Sequence, residues 1–149
     1  MTRRERAPVF RVGIGYDVHP FRDEGVEQGL KLGGVAIPCS RGLRGHSDAD
    51  VLLHAVCDAM LGALGLGDLG RHFPDSDPHL KGISSLVLLD KVLDLMRREG
   101  YRLINLDAVI IAQAPRLAEH LEAIRARIAG AVDDAGSQVN VKVKSPEGI

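Results

Sequence analysis

Asp17, Val18 and His19 place a carboxylate and an imidazole two residues apart, directly behind the apolar run Val9-Phe10-Arg11-Val12-Gly13-Ile14-Gly15. Alternate side chains of an extended segment share one side, so the two groups aim at one point. Together they make half of a zinc site. The ordinary reading of an isolated Asp-x-His is a solvated loop. A second group lies in Gly45-His46-Ser47-Asp48-Ala49-Asp50 and the helix behind it. Asp50, His54 and Asp58 recur every fourth residue, a polar stripe on a helix whose other faces carry Leu53, Val56, Met60 and Leu64. The plain reading of such a stripe is the wet face of an amphipathic helix. Composition weakens it, because residues 48–64 contain no Lys, Glu or Arg, the usual residues of a solvated face. Asp17, His19 and His54 jointly offer three nitrogen or oxygen ligands. Three protein ligands and an open fourth position describe a catalytic zinc rather than a structural one. Cys57 lies beside the stripe and reads as a small buried residue, the usual state of a free cysteine.

A third group is acidic and glycine-rich: Asp68, Gly70, Asp75 and Asp77. Carboxylates in such a loop bind sugar hydroxyls or help to hold a hard cation; an ordinary turn cluster has the same composition. There is no phosphate-binding Walker loop, no GxGxxG and no Ser-His-Asp signature.

The elements that must position these groups follow from pattern. Val9–Gly15 reads as a strand. Leu30–Leu32 and Val35–Ile37 flank Gly33-Gly34 and read as a hairpin with a two-residue turn. Ser47 is the expected N-cap of a helix over 48–64, with Asp50 three residues on as in a capping box. A second helix is predicted over 85–99 and stops at Gly100. A strand over 102–112 ends before Pro115. A third helix carries Leu117, Leu121, Ile124 and Ile128 on one stripe, and Val139–Val143 is the last strand. This order implies an α/β fold, an α+β sandwich with helices packed on one face of a mixed β-sheet.

With 149 residues the chain suits one domain, and 45% apolar with 26% charged residues suits a folded core. The reading is a basic tail over 1–10 and a single domain over 11–149. A net charge of −1 and 3% aromatic residues argue against nucleic acid as partner. No apolar run approaches the roughly 18 residues of a membrane span, and Met1–Arg6 opens no signal peptide. Cys39 and Cys57 form no disulfide framework, so a cytoplasmic setting is expected.

The strings GYDVHPF at 15–21, LGGVAIP at 32–38, HSDADVLLHAVCDAMLGALGLGDLG at 46–70 and FPDSDP at 73–78 resemble the 2-C-methyl-D-erythritol 2,4-cyclodiphosphate synthase family. IIAQAP at 110–115 and VNVKVKSPEG at 139–148 extend the likeness over nearly all of residues 11–149. The resemblance implies a homotrimeric lyase of non-mevalonate isoprenoid biosynthesis with sites between subunits. Its reaction converts 4-diphosphocytidyl-2-C-methyl-D-erythritol 2-phosphate into the cyclic diphosphate and CMP.

Residue by residue, the resemblance makes Asp17, His19 and His54 zinc ligands and Glu147 a ligand of magnesium or manganese bridging the substrate phosphates. It makes His46 a transition-state stabiliser and, with Ser47, a substrate contact. Ser145 stands where the family has a threonine that steadies the α-phosphate, between Lys144 and Pro146; Pro146 has no backbone donor. Asp68, Leu69 and Gly70, with Phe73, Pro74, Asp75, Ser76 and Asp77, match loops that hold ribose and methylerythritol hydroxyls. Ala112, Pro115, Arg116, Leu117 and Ala118 match the cytosine pocket, although a Lys-Met-Leu type run is common where Arg116-Leu117-Ala118 stands. The resemblance also implies a Gly-rich loop, a phosphate-binding arginine and a final strand beyond Ile149; no arginine of this sequence is assigned that role. Two other readings fit the same residues: a zinc phosphoesterase with bound water as nucleophile, and a non-catalytic trimer that binds a prenyl diphosphate in its axial cavity.

Overall fold

The two glycines at 33 and 34 both take positive φ, 59° and 76°, the backbone a tight hairpin turn needs. They join β2 (Leu30–Leu32) to β3 (Val35–Ile37) as expected, with Leu32 opposite Val35. In front of this hairpin β1 (Phe21–Arg22) pairs antiparallel with β4 (Gly42–Leu43). The computed structural model describes residues 10–22, 29–45, 47–132 and 136–148. The helices are α1 (Val51–Leu64), the single turn α2 (Leu69–His72), α3 (Ser85–Arg98) and α4 (Leu121–Val132). Between α3 and α4 lies β5 (Asn105–Ile111), and after α4 comes β6 (Gln138–Lys144). These two strands pair in parallel, as they must when a helical crossover joins them.

The described residues thus form three two-stranded sheets in place of the single mixed sheet expected from sequence. The first two sheets pair over only two and three residues, and the expected first strand lies along α1 without a strand partner among the described residues. Helices do cover one face of the β5–β6 pair: Ile110, Val139 and Val141 are buried with Ile124, Ile128 and Val132 of α4 in one aliphatic core. That core continues through Leu52, Leu53, Val56, Met60 and Leu61 of α1 and Leu89, Val92 and Leu93 of α3. Asp107, Val109 and Ile111 occupy the opposite, exposed side of β5.

Two expectations are corrected. The described part of the expected first strand, residues 10–15, is extended yet pairs with no strand of the described residues. It lies instead along α1. Modelling a Cβ on Gly13 would put it 1.8 Å from the Ala59 carbonyl oxygen, and on Gly15 it would lie 1.8 Å from that of Ala55. Only glycine permits so close an approach. Arg11 fixes the far end, donating to the carbonyls of Ala63 and Leu64 at 3.3 and 3.4 Å and to the Tyr101 hydroxyl at 2.8 Å. Even-numbered Phe10, Val12, Ile14, Tyr16 and Val18 point away and stay exposed.

The N-cap of α1 is Asp50, not Ser47. The Asp50 carboxylate is fully buried and accepts from Leu53 N–H at 3.1 Å and from Gly33 and Gly34 N–H at 2.9 and 2.6 Å. It therefore caps the helix and closes the hairpin turn together, a role Ser47 has too little reach to fill. Burial pushes its pKa up, against the pull of the three N–H donors. Smaller shifts of the predicted bounds are that β5 begins at Asn105 rather than 102 and that Leu117 precedes α4.

Two substitutions check this framework by unfolding at one protein concentration. Asp50→Ala leaves three backbone N–H groups without an acceptor, each worth about 1–3 kcal/mol; a loss of several kcal/mol is expected, and a change under 1 kcal/mol would contradict the tie. Gly15→Ala forces the arm off α1 and is expected to cost about 1–3 kcal/mol. Gly130→Ala, where an added Cβ meets nothing within 4 Å, is the control and stabilises by about 0.5–1 kcal/mol.

Candidate functional site

Residues 13, 15, 17 and 19 share the side of the arm that faces α1. The two glycines make the contact and the next two residues deliver their side chains at the helix N-terminus. Asp17 Oδ2 lies 2.9 Å from His19 Nε2 and 3.1 Å from His54 Nδ1, and the two ring nitrogens are 3.4 Å apart. All three residues are partly buried. The rings are tilted by 52° with centroids 5.3 Å apart, so they converge without stacking. A tetrahedral zinc with bonds of about 2.0–2.1 Å holds its ligand atoms about 3.3 Å apart. The triangle of Asp17, His19 and His54 has that size, and these residues fit a divalent metal. It is the one group of three such ligands among the described residues.

The surroundings support the triangle. His19 Nδ1 meets the Arg44 carbonyl, which can only accept, so Nδ1 donates there and Nε2 is the nitrogen that would face a metal. Burial raises the Asp17 pKa, but His54, His19 and the Val18 N–H outweigh it and hold the carboxyl below its ordinary value. His54 Nε2 faces Ser47 Oγ at 2.9 Å and Ser85 Oγ at 3.0 Å. Ser47 thus joins the centre. His46 lies outside the described residues. Cys57 is buried and its thiol is pushed up to about 12, by burial first and then by Asp58 and Asp50, which leaves it neither ligand nor nucleophile.

The polar stripe of α1 divides by function. Asp50 turns inward to the hairpin, His54 to the triangle, and Asp58 to the acidic loop, accepting from Leu69 N–H at 2.7 Å. Burial pushes the Asp58 carboxyl up against that N–H bond, and Asp68 and Asp17 add to the push. Asp68 caps α2 through Arg71 N–H at 2.9 Å. Gly70 lies within that turn. Phe73 is half-buried and packs on the core with Lys91 Nζ 5.7 Å from its ring centre. In Pro74-Asp75-Ser76-Asp77 the Asp77 N–H donates to the Pro74 carbonyl, and the Asp77 carboxylate accepts from His79 N–H.

The remaining predicted residues gather at the ends of β5 and β6. Ala112 N–H donates to the Lys144 carbonyl at 3.1 Å, and Ser145 Oγ lies 3.4 Å from Gln113 Oε1. Glu147 N–H donates to Ser145 Oγ at 3.0 Å across Pro146, with Glu147 at φ 55° and exposed. Pro115 follows a cis bond, and Leu117, between Arg116 and Ala118, is buried in the core. Among the described residues no hydrogen bond or ion pair links this group to the Asp17 triangle. Sequence reasoning passed over Asp48 and Ser85, which stand behind His54. Asp48 lies inside the HSDAD string, but Ser85 carried no signal.

The YgbB family profile matches residues 10–149. The chain is 56% identical over 137 residues to the 2-C-methyl-D-erythritol 2,4-cyclodiphosphate synthase of Syntrophobacter fumaroxidans, covering 92% of this chain and 84% of that protein. It resembles the bifunctional IspDF of Campylobacter jejuni at 40% identity and a TM-score of 0.86, covering 93% of this chain and 37% of that one. A solved 2C-methyl-D-erythritol-2,4-cyclodiphosphate synthase in its CDP-bound form gives 32% identity and a TM-score of 0.84, covering 93% and 91%. On this likeness, and with Asp17, His19 and His54 brought together as a group that could hold a metal, the chain belongs to the YgbB family of 2-C-methyl-D-erythritol 2,4-cyclodiphosphate synthases, lyases of the non-mevalonate route to isoprenoids.

Proposed function

We infer that this chain turns 4-diphosphocytidyl-2-C-methyl-D-erythritol 2-phosphate into 2-C-methyl-D-erythritol 2,4-cyclodiphosphate and CMP. The observation that carries the reading is the Asp17–His19–His54 triangle in a chain 56% identical to a named synthase. An oxygen of the 2-phosphate forms a bond to the β-phosphorus, and the bond from that phosphorus to the bridging oxygen breaks as CMP leaves. A phosphate monoester is already anionic near neutral pH, its second pKa being about 6. The nucleophile therefore needs no general base, and the site's work is positioning and charge neutralisation.

Asp17, His19 and His54 would hold zinc, which when bound supplies Lewis-acid charge at the phosphate. Glu147 would hold magnesium or manganese together with the substrate phosphates; one exposed carboxylate leaves most of such a site to substrate and water. Ser47 and His46 contact the substrate, and Ser145 steadies the α-phosphate. The Asp68–Gly70 turn and Phe73–Asp77 hold sugar hydroxyls, and the 112–118 segment takes the cytosine. A CDP-bound relative supports that ligand class.

The active assembly is a homotrimer whose sites combine two chains. What supports this is that no hydrogen bond or ion pair among the described residues joins the triangle to the 112–118 and 144–147 group. The exposed apolar residues Val12, Ile14, Val109 and Ile111 supply surface for contact between copies. The two unpaired cysteines, Cys39 and Cys57, suit a reducing cytoplasm.

The purified chain, given the synthetic substrate, is expected to release CMP and a cyclic diphosphate with a distinct phosphorus NMR signal. A chelator should abolish the turnover and added zinc restore it. An open phosphate pair as product would make the protein a phosphoesterase, and tight binding without turnover would make it a binding protein. Shared sites are tested by co-refolding His54→Ala with Glu147→Gln, each inactive alone. Hybrids should regain activity absent from both parents; demonstrable hybrids without activity would confine each site to one chain.

A further inference from the structure

Asp48 and Ser85, 37 residues apart in sequence, meet behind His54. Ser85 is fully buried at the first turn of α3. Its Oγ lies 2.5 Å from Asp48 Oδ1, and its backbone N–H donates to the same oxygen at 3.1 Å. Lys31 Nζ reaches the other Asp48 oxygen at 3.2 Å. Three donors on one carboxylate leave it acceptor only. The Ser85 hydroxyl must then give its single proton to Asp48 and can offer His54 Nε2, 3.0 Å away, only a lone pair.

We propose that the Asp48–Ser85 pair is a positioning relay that fixes the tautomer of His54, placing its proton on Nε2 and leaving the Nδ1 lone pair bare toward Asp17 and His19. The deduction rests on the metal reading of the triangle for its purpose, but not for its geometry. His19 is set in the same sense from the other side, because its Nδ1 meets the Arg44 carbonyl. Both rings can thus turn a lone pair to a cation held beside Asp17 Oδ2. Ser47 cannot impose this alone. Its Oγ lies 2.9 Å from His54 Nε2 and accepts from Ala49 N–H at 3.3 Å, but no carboxylate claims its proton, so it is free to donate to the ring. Without Ser85 the Nδ1–H tautomer, stabilised by Asp17, becomes accessible, and a cation must first displace that proton.

Ser85→Ala is the clean test, since it removes only Oγ and keeps the backbone bond to Asp48. Two measurements are made on the 149-residue chain. Long-range nitrogen–proton NMR on the metal-free protein at alkaline pH, where imidazoles are neutral, reads the His54 tautomer. Competition with a chromogenic chelator reads zinc affinity. The wild type should show Nε2–H; Ser85→Ala should shift His54 toward Nδ1–H and weaken zinc about 10–100-fold, the usual cost of losing a group that orients a ligand. Ser85→Thr should restore both. If Ser85→Ala fails to fold, Asp48→Asn, whose amide can donate to Ser85, should move both readings in the same direction. An unchanged tautomer or an unchanged zinc affinity in a folded variant overturns the relay. A wild type that binds no zinc overturns the metal reading instead, and the tautomer measurement still judges Ser85.

Discussion

Everything that presents His54 depends on where the Asp50 carboxylate sits. It is an ionisable side chain with no exposure, and it survives there because it accepts three backbone N–H bonds from two elements. Buried polar groups without partners are costly, and so are buried amides. Hairpin turn and helix start therefore cannot separate without orphaning both. The Gly33–Gly34 turn is locked over the first turn of α1, and His54 follows one turn later on the adjoining face. Loss of this tie would loosen the helix start that carries His54 without touching His54 itself.

The second constraint is the close approach of the arm to α1. Ala55, Ala59 and Ala63 give the helix a low face, Gly13 and Gly15 give the arm no side chains, and Arg11 holds its far end on the carbonyls of Ala63 and Leu64. A cation at a helix C-terminus is also favoured by the helix dipole. The arm thus runs opposite to the helix and brings Asp17 and His19 to the N-terminal end beside His54. In a sequence this arrangement looks like a strand, because alternation and apolar content mark extended backbone whether or not a partner strand exists.

The contrast shows what a sequence can and cannot carry. The triangle was legible because each ligand obeys a local period: two residues in the arm, and roughly four along α1. The hairpin was legible because only a pair of positive-φ residues closes a two-residue turn, and Gly33-Gly34 supplies it. The helix cap was misplaced by three residues because Ser47 and Asp50 are both good caps; only the hairpin, 16 residues upstream of Asp50, decides between them. Ser85 was illegible because its significance lies in Asp48 and His54, 37 and 31 residues away. The single mixed sheet failed for the same reason, since pairing between short strands is a tertiary property.

What remains exposed then bears on assembly. The arm sets Gly13, Gly15 and Asp17 against α1 and turns Phe10, Val12, Ile14, Tyr16 and Val18 outward, with Val12 93% exposed. The uncovered face of β5 adds Val109 and Ile111. Apolar surface of this extent, set on extended backbone whose own hydrogen-bonding groups lack a strand partner among the described residues, is surface that a further strand or another copy would cover. The same extended arm carries Asp17 and His19 at its end. In the proposed trimer, covering the arm would restrain the segment that delivers two of the three ligands, so assembly and metal binding would reinforce each other. Linkage then requires the reverse as well: filling the triangle would hold the arm in the form that its neighbour recognises.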